Sequence, residues 1–110
     1  VRKYRNVIVH RDGMRFDSKK EARRWCELRL LEASGQITRL RAHPRYDLKA
    51  HTPDGQGEGG KRYTADFEYF EGNKWVVEDV KSPATRKLPD YRLRVWLLKA
   101  NYPDLEFREV

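Results

Sequence analysis

Two aspartates and a lysine in YTADFEYFEGNKWVVEDVK, residues 63–81, have the types and the spacing to hold a divalent cation. Gly72-Asn73 divides the stretch into two alternating runs, and a Gly-first pair suits the type II′ turn of a tight hairpin. With that turn at the tip, Phe70 stands opposite Trp75, Glu68 opposite Val77 and Asp66 opposite Asp79. Lys81 lies two residues beyond Asp79 and points to the same face, whereas Glu78 points to the other face with Phe67, Val76 and Val80. Directly opposed side chains have Cβ atoms roughly 4.5–5.5 Å apart, so two opposed carboxylates repel. A raised pKa, the neighbouring lysine or a bound cation can offset that repulsion. A hard ion such as Mg²⁺ is commonly held by one or two carboxylates together with phosphate oxygens and water. Lys81 could then orient or help deprotonate an attacking water, or stabilise developing charge. Alternating acids and lysines are also ordinary on solvated strand faces. Here Phe70, Trp75 and Val77 share the face of the acids, which argues that the face is partly covered.

The charge of the chain makes this segment stand out. The protein carries 24 Lys/Arg against 17 Asp/Glu, a net charge of +7, and such a balance points to an anionic partner, usually nucleic acid. Residues 1–62 hold 16 basic against 8 acidic side chains, residues 82–110 hold 6 against 4, and residues 63–81 reverse the sign with 2 against 5. Carboxylates repel phosphates, so an acidic island serves a phosphate-binding protein only if something makes the repulsion useful. A cation between the two aspartates and a phosphate would do so.

The elements that must position these residues are legible from period and punctuation. Asn6 to Asp17 reads as a hairpin around Asp12-Gly13. A helix follows from about Ser18 to Ser34: Ser18 is the N-cap, Glu21 completes a Ser-x-x-Glu capping box, and Gly35 is the stop. Glu21, Trp25 and Leu28 share one side of it, and Ala22, Cys26 and Ala33 continue the inward arc. Residues 37–49 read as extended with an interruption at His43-Pro44, and Thr52 to Gly60 as a long, glycine-rich hairpin loop. Ser82-Pro83 ends the second strand of the acidic hairpin. A second helix is expected from Pro89 or Asp90 to about Asn101, with Tyr91, Val95 and Leu98 inward and Trp96 and Leu97 widening the buried face. LEFREV, 105–110, reads as a last strand. The expected fold is α/β (α+β), a single domain with a mixed central sheet flanked by helices, in the order hairpin, then α-β-β-β-α-β.

Cys26, alone, excludes an internal disulfide and reads as a buried thiol. The three histidines lack metal-ligand spacing; His51 borders a loop and could approach a site, but a solvent-facing loop histidine is the better reading. No apolar run is long enough to span a membrane, and an intracellular setting is expected.

Asp66, then Asp79-Val80-Lys81 thirteen residues later, on neighbouring strands in an α-β-β-β-α-β order, resembles the PD-(D/E)XK nuclease superfamily. The wider string FDSKKEARR … YTADFEY … VVEDVK … Tyr91 is similar to a family of small phage-encoded endonuclease-like proteins. The resemblance covers nearly the whole chain. It implies a restriction-endonuclease-like core in which Asp66 and Asp79 bind Mg²⁺ or Mn²⁺, the Val80 carbonyl adds a ligand, and Lys81 is the catalytic lysine. It also implies a helical acid before the sheet, a position that Glu21 matches beside its capping role. Two positions depart from the pattern: Ala65 stands where the superfamily name has proline, and Ser82 where close relatives are expected to have glycine.

The resulting expectation is a Mg²⁺-dependent endodeoxyribonuclease, structure-selective for branched DNA such as a Holliday junction, acting as a homodimer inside a phage-infected or prophage-bearing bacterium. Lys19, Lys20, Arg23 and Arg24, then Arg86, Lys87, Arg92, Arg94 and Lys99, are the candidate contacts to the DNA backbone, with Thr85 and Tyr91 as further substrate contacts. The alternative is a nucleic-acid-binding module that keeps the nuclease fold without chemistry.

Overall fold

The computed structural model describes residues 7–51 and 58–110. The opening hairpin pairs β1 (Val9–Arg11) with β2 (Met14–Phe16) around Asp12-Gly13, both at positive φ as a type I′ turn requires. Helix α1 (Lys19–Ala33) then begins at Ser18, whose hydroxyl accepts the Glu21 N–H at 3.1 Å, and ends before Gly35 at φ +82°. Its Ala22, Trp25 and Leu28 are buried, while Trp25 Nε1 donates to Asp12 at 2.8 Å and ties the first hairpin to the helix.

The main sheet has four strands in the order β3 (Thr38–Ala42), β6 (Phe67–Glu71), β7 (Lys74–Asp79), β8 (Leu105–Glu109). The first three are antiparallel neighbours, and β8 lies parallel to β7. Between β7 and β8 the chain crosses over through a short helix α2 (Pro83–Arg86) and α3 (Pro89–Asn101), as a parallel pairing demands. A separate hairpin of β4 (Arg45–His51) and β5 (Glu58–Thr64) is inserted between β3 and β6. The helix–strand order around the main sheet is therefore α-β-β-β-α-β, as expected, once that insert is set aside.

Three local expectations change. The interruption at His43-Pro44 separates two strands of different sheets, because His43 turns at φ +55° and its N–H donates to the Asp66 carbonyl at 2.8 Å. The run YTADFEYF is likewise two strands broken at Ala65-Asp66, not one. The glycine-rich loop is shorter than Thr52 to Gly60, since Gly59 and Gly60 pair with Ala50 and Lys49; its remainder, 52–57, lies outside the described residues.

Apolar packing covers both faces of the sheet. Phe16, Trp25, Leu28, Ile37, Phe67, Tyr69, Val76 and Val80 form the layer under α1. Tyr46, Leu48, Tyr63, Ala65, Val77, Leu98 and Leu105 form the layer under α3 and the inserted hairpin. Covering both faces explains why every residue from Val76 to Val80 is buried. Cys26 and Ala33, expected inward, are exposed, because the buried stripe of α1 is narrower than their positions require. Trp96, expected on the buried face of α3, is 64% exposed; Leu98 is the one α3 residue that is fully buried. Among the described residues no helix is long and apolar enough to cross a membrane.

Candidate active site

The acidic hairpin forms in the expected register: Phe70 pairs with Trp75, Glu68 with Val77 and Phe67 with Glu78 around Gly72, at φ +62°. At its open end Asp66 and Asp79 meet. The Asp66 N–H donates to Asp79 Oδ1 at 2.9 Å, and the Val80 N–H donates to Asp66 Oδ2 at 2.7 Å. Each carboxylate thus accepts a main-chain bond from the strand of the other. The Tyr63 hydroxyl, from the end of β5, donates to Asp79 Oδ2.

The five acids of residues 63–81 divide by partner. Glu78, fully buried on the α1 side, accepts from both Nε and Nη2 of Arg24, at 2.8 and 2.7 Å, and from the Tyr69 hydroxyl. Glu68 accepts from Arg41 at 2.8–2.9 Å and from the Tyr46 hydroxyl at 2.5 Å. Glu71 pairs with Arg108 at 3.1 Å. Each of these three has an arginine from another element. Among the described residues Asp66 and Asp79 have no such ion pair, although Asp79 is 1% exposed.

Their electrostatics follow. Burial, reinforced by the charge of Asp66, pushes Asp79 up from 3.8 to about 6, against the Tyr63 hydrogen bond that pulls it down. Asp66 is raised by burial, while the Val80 N–H and the positive charges of Lys81 and His43 act the other way. Glu21 rises from 4.5 to about 7, first through burial and then through the charge of Asp66; the Asp17 N–H and Lys81 oppose the rise. Glu21 on α1, Asp66 at the break before β6 and Asp79 at the end of β7 are thus linked through Asp66, whose charge raises both of the others, and through Lys81, whose charge lowers all three. The Lys81 ammonium stands 5.7 Å from the centre of the Tyr91 ring, and the Tyr91 hydroxyl donates to Glu109 at 2.8 Å.

Glu21 caps α1 in a variant of the expected box: its Oε2 accepts from the Asp17 N–H at 3.4 Å rather than from Ser18. Lys19, Lys20 and Arg23 are exposed on α1, and Lys87, Arg92, Arg94 and Lys99 are exposed on and before α3, with Arg86 half-buried. Arg24 is different from its basic neighbours. The hydrogen bonds and charge of Glu78 raise its pKa and fix its guanidinium within the fold, so it is engaged in the packing of α1 on the sheet.

Two residues near the acids were not anticipated. An unbroken strand would put Tyr63 on the face of Phe67 and Tyr69; the break at Ala65-Asp66 turns it to the other side. His43 approaches the site, where it acts on Asp66, and its ring packs on Phe16 at 5.4 Å. The one sequence signal for it is the His-Pro interruption. The side chain of His51 lies outside the described residues.

The fit of this pair to a divalent cation can be judged from the donor set. Among the described residues no group of three or more His, Cys, Asp or Glu side chains is gathered as a metal site. Two hard carboxylates held together at a cost of repulsion, with Asp66 Oδ1 outside both main-chain bonds, fit the kind of site in which phosphate oxygens and water complete the shell.

The chain belongs to the family described as "Protein of unknown function (DUF1064)", whose sequence model matches residues 1–110. No curated protein and no solved structure matches the chain.

Proposed function

We propose that this protein is a metal-dependent DNA endonuclease of the PD-(D/E)XK type, acting on branched or otherwise irregular DNA as a homodimer. One observation carries the reading. In a hairpin whose other three acids are each neutralised by an arginine, the two left without one, buried Asp79 and half-buried Asp66, are tied together by crossed main-chain bonds and feel the charge of Lys81.

Asp66 and Asp79 would hold Mg²⁺ or Mn²⁺, with the Val80 carbonyl and Glu21 adjacent. Such a cation supplies Lewis-acid stabilisation of charge on phosphate oxygens and cancels the repulsion between carboxylates and DNA. The chain's own groups do the rest. The crossed main-chain bonds fix the carboxylate planes, so no reorganisation is needed when substrate arrives. Lys81, over the face of Tyr91, offers an ammonium for the attacking water or the developing phosphate charge. Glu21, at about 7, can hold or release a proton near neutral pH.

The test incubates the protein with supercoiled, linear, single-stranded and four-way-junction DNA in Mg²⁺ or EDTA. Cleavage in Mg²⁺ is expected, abolished by Asp66→Ala, Asp79→Ala or Lys81→Ala in folded protein. Cleavage that persists in EDTA refutes the metal mechanism. Retention of DNA without cutting in any lane refutes the enzyme and favours the binding module.

A further inference from the structure

Beside the acidic pair, a cleft of about 250 Å³ runs between α2, α3 and the end of β8. Arg86, Arg92 and Lys99 line it together with Tyr91 and Trp96. One acid, Glu109, also lines it, and its Oε2 is already taken by the Tyr91 hydroxyl. Arg86 has a buried Nε that finds no hydrogen-bond partner among the described residues. A guanidinium short of acceptors is well matched by phosphate oxygens.

Trp96 is the unusual member. Tryptophan is normally well covered, yet here it is 64% exposed at the rim of a basic cleft. An exposed indole among arginines and lysines is the composition of a surface that stacks nucleobases and grips their backbone. The bases of a duplex already stack on one another, so an aromatic face is useful to a base that has left the stack. The cleft is smaller than the roughly 300–1,000 Å³ of pockets built for whole small molecules, which suits one base of a longer strand. Tyr91 joins the two regions, since its ring carries the Lys81 ammonium and also lines the cleft.

We propose that this cleft receives an unpaired nucleotide of a DNA strand, its base stacked on Trp96 and its phosphate held by Arg86, Arg92 and Lys99. The inference rests on the nuclease reading for its substrate class and goes beyond it by naming what is recognised next to the cut. DNA with a flap, gap or open junction then binds better than an intact duplex.

Binding is measured in EDTA, so that no cutting intervenes, by the fluorescence anisotropy of end-labelled oligothymidylate and, separately, of a labelled blunt duplex. Trp96→Ala should weaken binding of the single strand about 5- to 100-fold and that of the duplex less than about twofold, at an unchanged melting temperature; Trp96→Phe, which can still stack, should recover most of the loss. Equal binding of the single strand by Trp96→Ala and wild type overturns the proposal, as does an equal loss on both DNAs. A switch from dimer to monomer in sedimentation, with single-strand binding intact, also overturns it and makes Trp96 part of a contact between copies. Cleavage in Mg²⁺ is scored separately, so failure of stacking leaves the nuclease reading standing, and absence of cleavage leaves the stacking result readable.

Discussion

Replacing Asp79 by asparagine should make the protein more stable at pH 8, and the size of the gain follows from the geometry. Asp79 is 1% exposed and its pKa stands at about 6 instead of 3.8. At 1.36 kcal/mol per pH unit, holding it ionised costs about 3 kcal/mol. A raised carboxyl pKa means that the stability in question is fully present below about 3.8, declines as pH rises and is gone above about 6. Asparagine keeps the local bonds: its oxygen can accept the Asp66 N–H, and its amide can donate to the Tyr63 hydroxyl, which accepts as well as donates. The variant should therefore match wild type at pH 4 and exceed it by about 2–3 kcal/mol at pH 8, or about 10 °C in melting temperature for a domain of this size. Urea titrations followed by tryptophan emission at several pH values measure the gap. Addition of Mg²⁺ at pH 8 should narrow it, because a cation that binds only the folded wild type stabilises that state. A gap that does not open between pH 4 and 7, or an asparagine variant less stable at pH 8, would refute the argument that the pair is held together at a cost.

Further outcomes test the neighbouring groups. Arg24→Ala leaves the buried Glu78 without its partner and should cost about 3–5 kcal/mol in urea denaturation, with part of the loss recovered in Arg24→Ala/Glu78→Gln. Tyr63→Phe removes a hydrogen bond that lowers the pKa of Asp79, so the acidic limb of a pH–cleavage profile should move to higher pH. Glu21→Gln can still accept the Asp17 N–H; lost cleavage at unchanged melting temperature would assign Glu21 to the chemistry, and unchanged cleavage would assign it to the cap.

The hairpin that carries the acids was readable because its information is local. A two-residue turn with glycine first sets the register, and the register puts Asp66 opposite Asp79 without any knowledge of the rest of the fold. The caps of α1 and the span of α3 were readable for the same reason. The partners of the acids were not. Nothing in the order of residues says that Arg24 reaches Glu78, 54 positions away, or that Arg41 reaches Glu68. Those pairings depend on how α1 and β3 are laid against the sheet. The inserted hairpin misled for a different reason: Tyr63 and Phe67 have the same parity, and only the break at Ala65-Asp66 sends them to opposite faces. The exposure of Trp96 depends on how much of α3 the sheet can cover, which helical period does not specify.

The crossed bonds between Asp66 and Asp79 have a mechanical consequence. Because each carboxylate grips an amide of the opposite strand, neither side chain can turn away without loosening the backbone on the other side. The pair acts as a clasp at the end of the hairpin farthest from its turn, where strands otherwise fray. Val110 braces the same place from β7's other flank, donating to the Asp79 carbonyl at 2.9 Å and accepting from the Lys81 N–H at 3.3 Å. Anything that draws the two carboxylates inward must carry the strand ends with them, so occupancy of the site would be felt as stiffness along Asp66 and Asp79–Lys81. The amide protons of Asp66 and Val80, each locked in the clasp, are where that stiffness would first be read, as slowed hydrogen exchange.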